Sequence, residues 1–81
     1  MERYMGELID IQCCGQHGCV LAGVKFKPRD LIKVRLAKSF DPEVEAGSGG
    51  TWGWGGYTAQ QIKSVANTII DAQTGTIIWR R

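Results

Sequence analysis

Between Val24 and Leu36 apolar and charged residues alternate on either side of a Pro-containing turn, and this pattern most constrains the fold. Alternation with a period of two sends successive side chains to opposite faces of a sheet. Val24, Phe26, Ile32, Val34 and Leu36 then share one face, and Lys25, Lys27, Lys33 and Arg35 share the other. Residues 25–38 hold six of the ten basic residues and a single acid, Asp30. The expected product is a small sheet with an apolar inside and a cationic outside. Such a face is a binding surface by its chemistry and carries no catalytic group of its own.

The strands are expected to be antiparallel. Residues 4–14 read as a first strand, with Leu8, Asp10 and Gln12 on one side and Ile9, Ile11 and Cys13 on the other. Gly15-Gln16-His17-Gly18 reads as a turn, followed by a second strand over Cys19–Lys27 that puts Val20, Ala22, Val24 and Phe26 on one face. Pro28-Arg29-Asp30 then forms a three-residue loop into a third strand, because proline cannot supply the positive φ of a two-residue hairpin. That register sets Phe26 opposite Ile32, Val24 opposite Val34 and Lys25 opposite Lys33, a like-charge pair that an anionic ligand would relieve.

Beyond Asp41-Pro42 the pattern changes. Ala46–Tyr57 holds six glycines, which predicts a mobile loop or long hairpin tip over about residues 46–57, with Trp52, Trp54 and Tyr57 inside it. Thr58 with Gln61 three residues later makes a capping-box pattern, and Ala59, Ile62, Val65 and Ala66 lie on one helical face, so a short helix is expected over about 59–66. The runs Thr68–Asp71 and Thr76–Trp79 flank a turn ending in Gly75 and read as a C-terminal hairpin. The whole is one α+β domain spanning residues 1–81. It is expected to hold a small, mostly antiparallel sheet or partial barrel of about five strands, three N-terminal plus the C-terminal hairpin, with one short helix. A chain of 81 residues buries only about 60% of its unfolded surface, so its core is thin.

All three cysteines and the lone histidine fall within Cys13-Cys14-Gly15-Gln16-His17-Gly18-Cys19. Cys13, Cys14, His17 and Cys19 are zinc ligands by type, but two separated knuckles usually make such a site, and adjacent Cys13 and Cys14 point to opposite faces of a strand. No metal and no cofactor is expected. The reading from the residues is a turn flanked by small apolar cysteines; a redox pair of Cys14 with Cys19 is the further alternative. Three cysteines, two of them adjacent, fit reduced thiols and a cytoplasmic location better than a secreted disulfide framework. No apolar run approaches the ~20 residues of a membrane span, so no membrane partner is expected. A cysteine nucleophile with His17 as base lacks an orienting group and an oxyanion site, and no phosphate-binding loop is present, which argues against an enzyme.

Two features carry a binding function. Lys25, Lys27, Arg29, Lys33 and Arg35 could follow phosphates, and Trp52, Trp54 and Tyr57 could stack on bases, the combination used for single-stranded nucleic acid or RNA. The alternative for the rings is that one folds back to roof the thin core. The rival function is a small protein-binding inhibitor or adaptor of the kind encoded by phages and mobile elements, docking its basic face on an acidic surface, or its Trp loop in an apolar pocket, of a larger complex. A zinc-stapled module using the Cys/His turn stands third. An exposed edge strand also makes a homodimer compatible with the pattern.

The segment Phe26-Lys27-Pro28-Arg29-Asp30-Leu31-Ile32-Lys33-Val34 resembles the Pro-Gly-Asp-Leu-Val turn-into-strand of SH3-like and related small β-barrels. Arg29 stands where those folds carry glycine. The resemblance implies a small twisted sheet or partial barrel, and nothing about activity.

Overall fold

The computed structural model describes residues 6–40, 49–53 and 56–81. Among these residues six strands and one helix follow in the order β1 (Leu8–Gln12), β2 (Cys19–Leu21), β3 (Val24–Phe26), β4 (Leu31–Leu36), α1 (Ala59–Val65), β5 (Ala66–Asp71) and β6 (Thr76–Arg80). Four of the strands form an antiparallel sheet in the order β1-β4-β5-β6, and β2 pairs only with β3 in a separate two-stranded ribbon. The chain is a small α+β fold of antiparallel sheets, and the described strands close no barrel.

Strand β4 is central. Ile32, Val34 and Leu36 point inward and are fully buried, while Lys33 and Arg35 point to the opposite face. Ile11 of β1 and Ile69 of β5 lie beside Ile32 and Val34 respectively, so three strands contribute to one apolar layer. Against that layer pack Leu21 and Phe26 of the ribbon, Phe40, Trp52, Tyr57, and Ile62 and Val65 of the helix.

Helix α1 forms where its sequence signals place it. The Thr58 side chain accepts from the Gln61 N–H at 3.0 Å, and the Gln61 side chain accepts from the Thr58 N–H at 3.4 Å, closing a capping box. At the other end the Arg81 guanidinium donates to the carbonyls of Lys63, Ser64 and Ala66, groups that a helix terminus leaves without partners. The β5–β6 hairpin follows, turning through Ala72–Gly75 with Gly75 at φ 76°.

Three expectations about the N-terminal half need correction. The first strand does not pair with the second across Gly15–Gly18; β1 pairs with β4, Asp10 facing Lys33 and Ile11 facing Ile32. The second strand is not continuous. Ala22 (φ 52°) and Gly23 (φ 77°) form a two-residue turn that folds β2 back on β3, pairing Cys19 with Phe26 and Val20 with Lys25. Positive φ at both central residues is the turn geometry that matches strand twist. Finally, β3 and β4 are not a hairpin, so Lys25 does not face Lys33. Lys33 sits between Asp10 and Ile70, and the expected like-charge pair does not exist.

The link between β3 and β4 is instead a tight turn over Lys27-Pro28-Arg29-Asp30, in which Asp30 N–H donates to the Lys27 carbonyl and Lys27 N–H to the Asp30 carboxylate. Pro28 supplies the fixed φ of the first central position, and Arg29 occupies the second at φ 77°, a place glycine takes without strain. The left-handed region costs a non-glycine residue roughly 1–2 kcal/mol. We predict that Arg29→Gly raises the stability by up to about 1 kcal/mol, part of the relief being offset by the freer unfolded chain. Arg29→Val should lower it by a similar amount or more; urea midpoints of the three proteins decide.

Candidate functional site: the open face of the four-stranded sheet

One face of the four-stranded sheet carries the core and the other is open. Register assigns the open face row by row. Asp10, Lys33, Ile70 and Ile77 lie side by side across β1, β4, β5 and β6, and Leu8, Arg35, Thr68 and Arg80 form the neighbouring row. Gln12 and Leu31 make a third, shorter row. The face therefore mixes three cations, one acid and several aliphatic side chains. Among the described residues the exposed large apolar side chains are Leu8 (42%), Val20 (58%), Leu31 (38%) and Ile77 (45%), and all but Val20 stand on this face.

The charges are only lightly committed. Lys33 Nζ reaches Asp10 Oδ1 at 3.0 Å, with both side chains about half exposed, a pair of small worth in water. Arg35 Nη1 donates to the Gly6 carbonyl at 3.2 Å. Arg80 is exposed with no charged partner among the described residues. Solvated cations set among aliphatic side chains can bind anionic groups and exclude water at once.

The expected basic face is thus divided. Lys33 and Arg35 lie on the open sheet face, whereas Lys25 lies on the ribbon opposite Val20, and Lys27 and Arg29 lie in the turn that follows. All three of the latter are exposed. Arg80 belongs to the open face but is distant in sequence from the basic run. The signal that could have found it is the hairpin register, which sets Arg80 beside Thr68 and, one strand on, Arg35.

The aromatic part of the expected site is mostly interior. Trp52 is 1% exposed, meets the Phe26 ring edge-on at 5.2 Å and bridges Cys13 on one side and Tyr57 on the other. Tyr57 is buried and meets Phe40 edge-on at 5.5 Å. Neither ring is presented to a ligand. Trp54 lies outside the described residues. Two of the glycines stand where close packing requires them: a Cβ on Gly50 would collide with the Tyr57 carbonyl, and Gly53, at φ 69°, lies against the Tyr57 ring. Within the described part of that segment Trp52 and Tyr57 exchange backbone hydrogen bonds at 3.0 and 2.6 Å. One local signal did mark Tyr57 as core. It precedes the N-cap Thr58, with Ile62 at the fourth helical position, the spacing of a hydrophobic staple.

Cys13 and Cys19 form a disulfide across the Gly15–Gly18 turn, with Cα atoms 5.9 Å apart, and both are buried. This corrects the expectation of reduced thiols, and the bond is not the alternative Cys14–Cys19 pair. Cys14 is free and exposed, as is His17 in the turn, so Cys13, Cys14, His17 and Cys19 are not gathered as a ligand set. Among the described residues no three His, Cys, Asp or Glu side chains are placed to hold a metal ion, and no helix is long and apolar enough to cross a membrane. No protein-family model matches the chain, and no curated protein or solved structure is significantly similar to it.

The disulfide holds the node on which the open face depends. Cys13 N–H donates to the Asp30 carbonyl at 2.7 Å, and its carbonyl accepts from Arg29 N–H at 2.8 Å, tying the end of β1 to the start of β4. Closing so short a loop contributes about 2 kcal/mol by restricting the unfolded chain. Denaturation midpoints with and without a phosphine reductant should differ by that amount, and Trp52→Ala should cost about 3–5 kcal/mol as a large core truncation.

Proposed function

We propose that this chain is a non-enzymatic binding module that docks the open face of its four-stranded sheet on an acidic protein surface bearing apolar side chains. The observation that carries this reading is the make-up of that face: Lys33, Arg35 and Arg80 interleaved with Leu8, Leu31, Ile70 and Ile77. Exposed aliphatics repay burial only against another apolar surface, and the surrounding cations select one that carries carboxylates. A small inhibitor or adaptor of the kind that phages and mobile elements encode works in this way, covering part of a larger assembly. A cytoplasmic location stays part of this proposal, although a bond such as Cys13–Cys19 is commoner in oxidising compartments.

Single-stranded nucleic acid or RNA is the second reading. The observation favouring it is that Lys25, Lys27 and Arg29 are exposed on the ribbon and its turn without acidic partners among the described residues. The strained backbone at Arg29 adds weight, since strain is often retained where a side chain is used. With Trp52 and Tyr57 inside the core, this reading rests on phosphate contacts alone.

Co-purification from the source cells with three baits separates the two. The native chain should retain a protein partner that nuclease does not release. A Leu31→Glu/Arg35→Glu bait should lose it by roughly tenfold or more, as expected for interface charges removed from a docked surface. A Lys25→Glu/Lys27→Glu bait should keep it. A nuclease-sensitive partner, kept by the first variant and lost by the second with a steep salt dependence, would contradict the protein-docking reading and establish the nucleic-acid one.

A further inference from the structure

The two edges of the four-stranded sheet are treated differently. On the β1 side Gly53 N–H donates to the Gln12 carbonyl at 2.7 Å, and Cys13 bridges Trp52, so Trp52 and Gly53 cover part of that edge. On the β6 side no described segment pairs with the outer edge. That edge reads Thr76-Ile77-Ile78-Trp79-Arg80, apolar and β-branched at its centre, and its only charge is at one end. Natural edges are usually guarded by a central charge or proline, which keeps other strands from adding.

We propose that β6 pairs antiparallel with the β6 of a second copy of this chain about a two-fold axis at Ile77, joining two four-stranded sheets into one of eight strands. This goes beyond the docking proposed for the open face and does not rest on it.

Charge selects the direction of the pairing. The Arg80–Arg81 end of the edge is basic, whereas the hairpin end, Asp71–Thr76, carries one acid and no base. Antiparallel self-pairing keeps the two basic ends apart; Asp71 stands one strand in, on the other face, and does not meet Arg80. Parallel pairing would set Arg80 against Arg80. The Arg81 guanidinium is already engaged by the helix carbonyls and the Trp79 ring, which leaves Arg80 as the free cation of that end.

The faces select the register. Ile77 lies on the open face beside Ile70, whereas Ile78 and Trp79 pack on the core, because a bulge interrupts the alternation between β5 and β6. An axis at Ile77 puts Ile77 against Ile77 and Thr76 against Ile78, so each of these residues meets one from its own side. An axis at Ile78 would set Ile77 of one copy against Trp79 of the other, on opposite faces. The Ile70–Ile77 row then runs unbroken through the axis and covers the 45% of Ile77 left exposed in the single chain.

Pairing one short strand per copy buries less than the ~1,200 Å² of stable complexes, so half-association is expected at roughly tens to hundreds of micromolar. Sedimentation equilibrium of the native chain should show a dimer in that range. Ile77→Lys, at a position exposed in the single chain, should remain monomeric with an unchanged near-ultraviolet spectrum. In a Cys14→Ser background, Ile77→Cys should cross-link to a covalent dimer under mild oxidation, since directly opposed Cβ atoms come within disulfide reach. Val20→Cys in the same background should not. A native chain that stays monomeric at about 1 mM, a dimer that Ile77→Lys leaves intact, or an Ile77→Cys chain that does not cross-link would each overturn the proposal.

Discussion

Everything in this fold depends on β4 being paired on both sides while its residues alternate. Ile32 and Val34 are wholly buried, and each is flanked by an aliphatic partner from a neighbouring strand or packed against one from the opposing layer. The same alternation turns Lys33 and Arg35 outward. A slip of one residue would place two cations in the core, at a cost no domain of this size could bear. Core and candidate face are thus two consequences of one strand, and the face is as well fixed as the core.

A thin core needs support at its margin, and the Cys13–Trp52 node supplies it. The disulfide, the Trp52 ring against Phe26, and the backbone bonds from Cys13 to Arg29 and Asp30 bring three chain segments to one point. Thr51 joins them, its carbonyl accepting from the Cys14 N–H at 2.8 Å and lying 3.4 Å from Cys19 Sγ. The latter contact becomes a hydrogen bond only if the disulfide is reduced and the sulfur carries a proton. Among the described residues the Trp52 indole N–H is buried without a partner, which costs about 1–3 kcal/mol. Burial of so large a ring evidently outweighs it.

What the sequence revealed was local. The alternation of Leu8–Gln12 and of Leu31–Leu36, the capping box at Thr58 and Gln61, and the C-terminal hairpin all follow from spacings of four residues or fewer, and the structure has them. The pairing of strands was not local. A hairpin of β3 with β4 satisfies the same hydrophobic pattern as the observed β1-β4-β5 order, and only contacts between residues distant in the chain, such as Leu8 with Arg35 and Ile32 with Asp71, distinguish them. Ala22-Gly23 hid a turn inside an apparently unbroken alternation. The glycines around Trp52 were ambiguous for a related reason: absence of a side chain permits mobility and also permits the close approach found at Gly50 and Gly53. The candidate face was therefore legible in Lys33 and Arg35. Arg80 was missed, and Trp52 and Tyr57 were mistaken for ligand-facing rings.

The neighbours of Lys33 test this account most directly. Nuclear Overhauser contacts between backbone and β protons should connect Lys33 to Asp10 on one side and to Ile70 on the other, with none to Lys25. Contacts between Lys25 and Lys33, with Asp10 and Ile70 silent, would show β3 rather than β1 beside β4, and would dissolve the open face on which the proposed function stands.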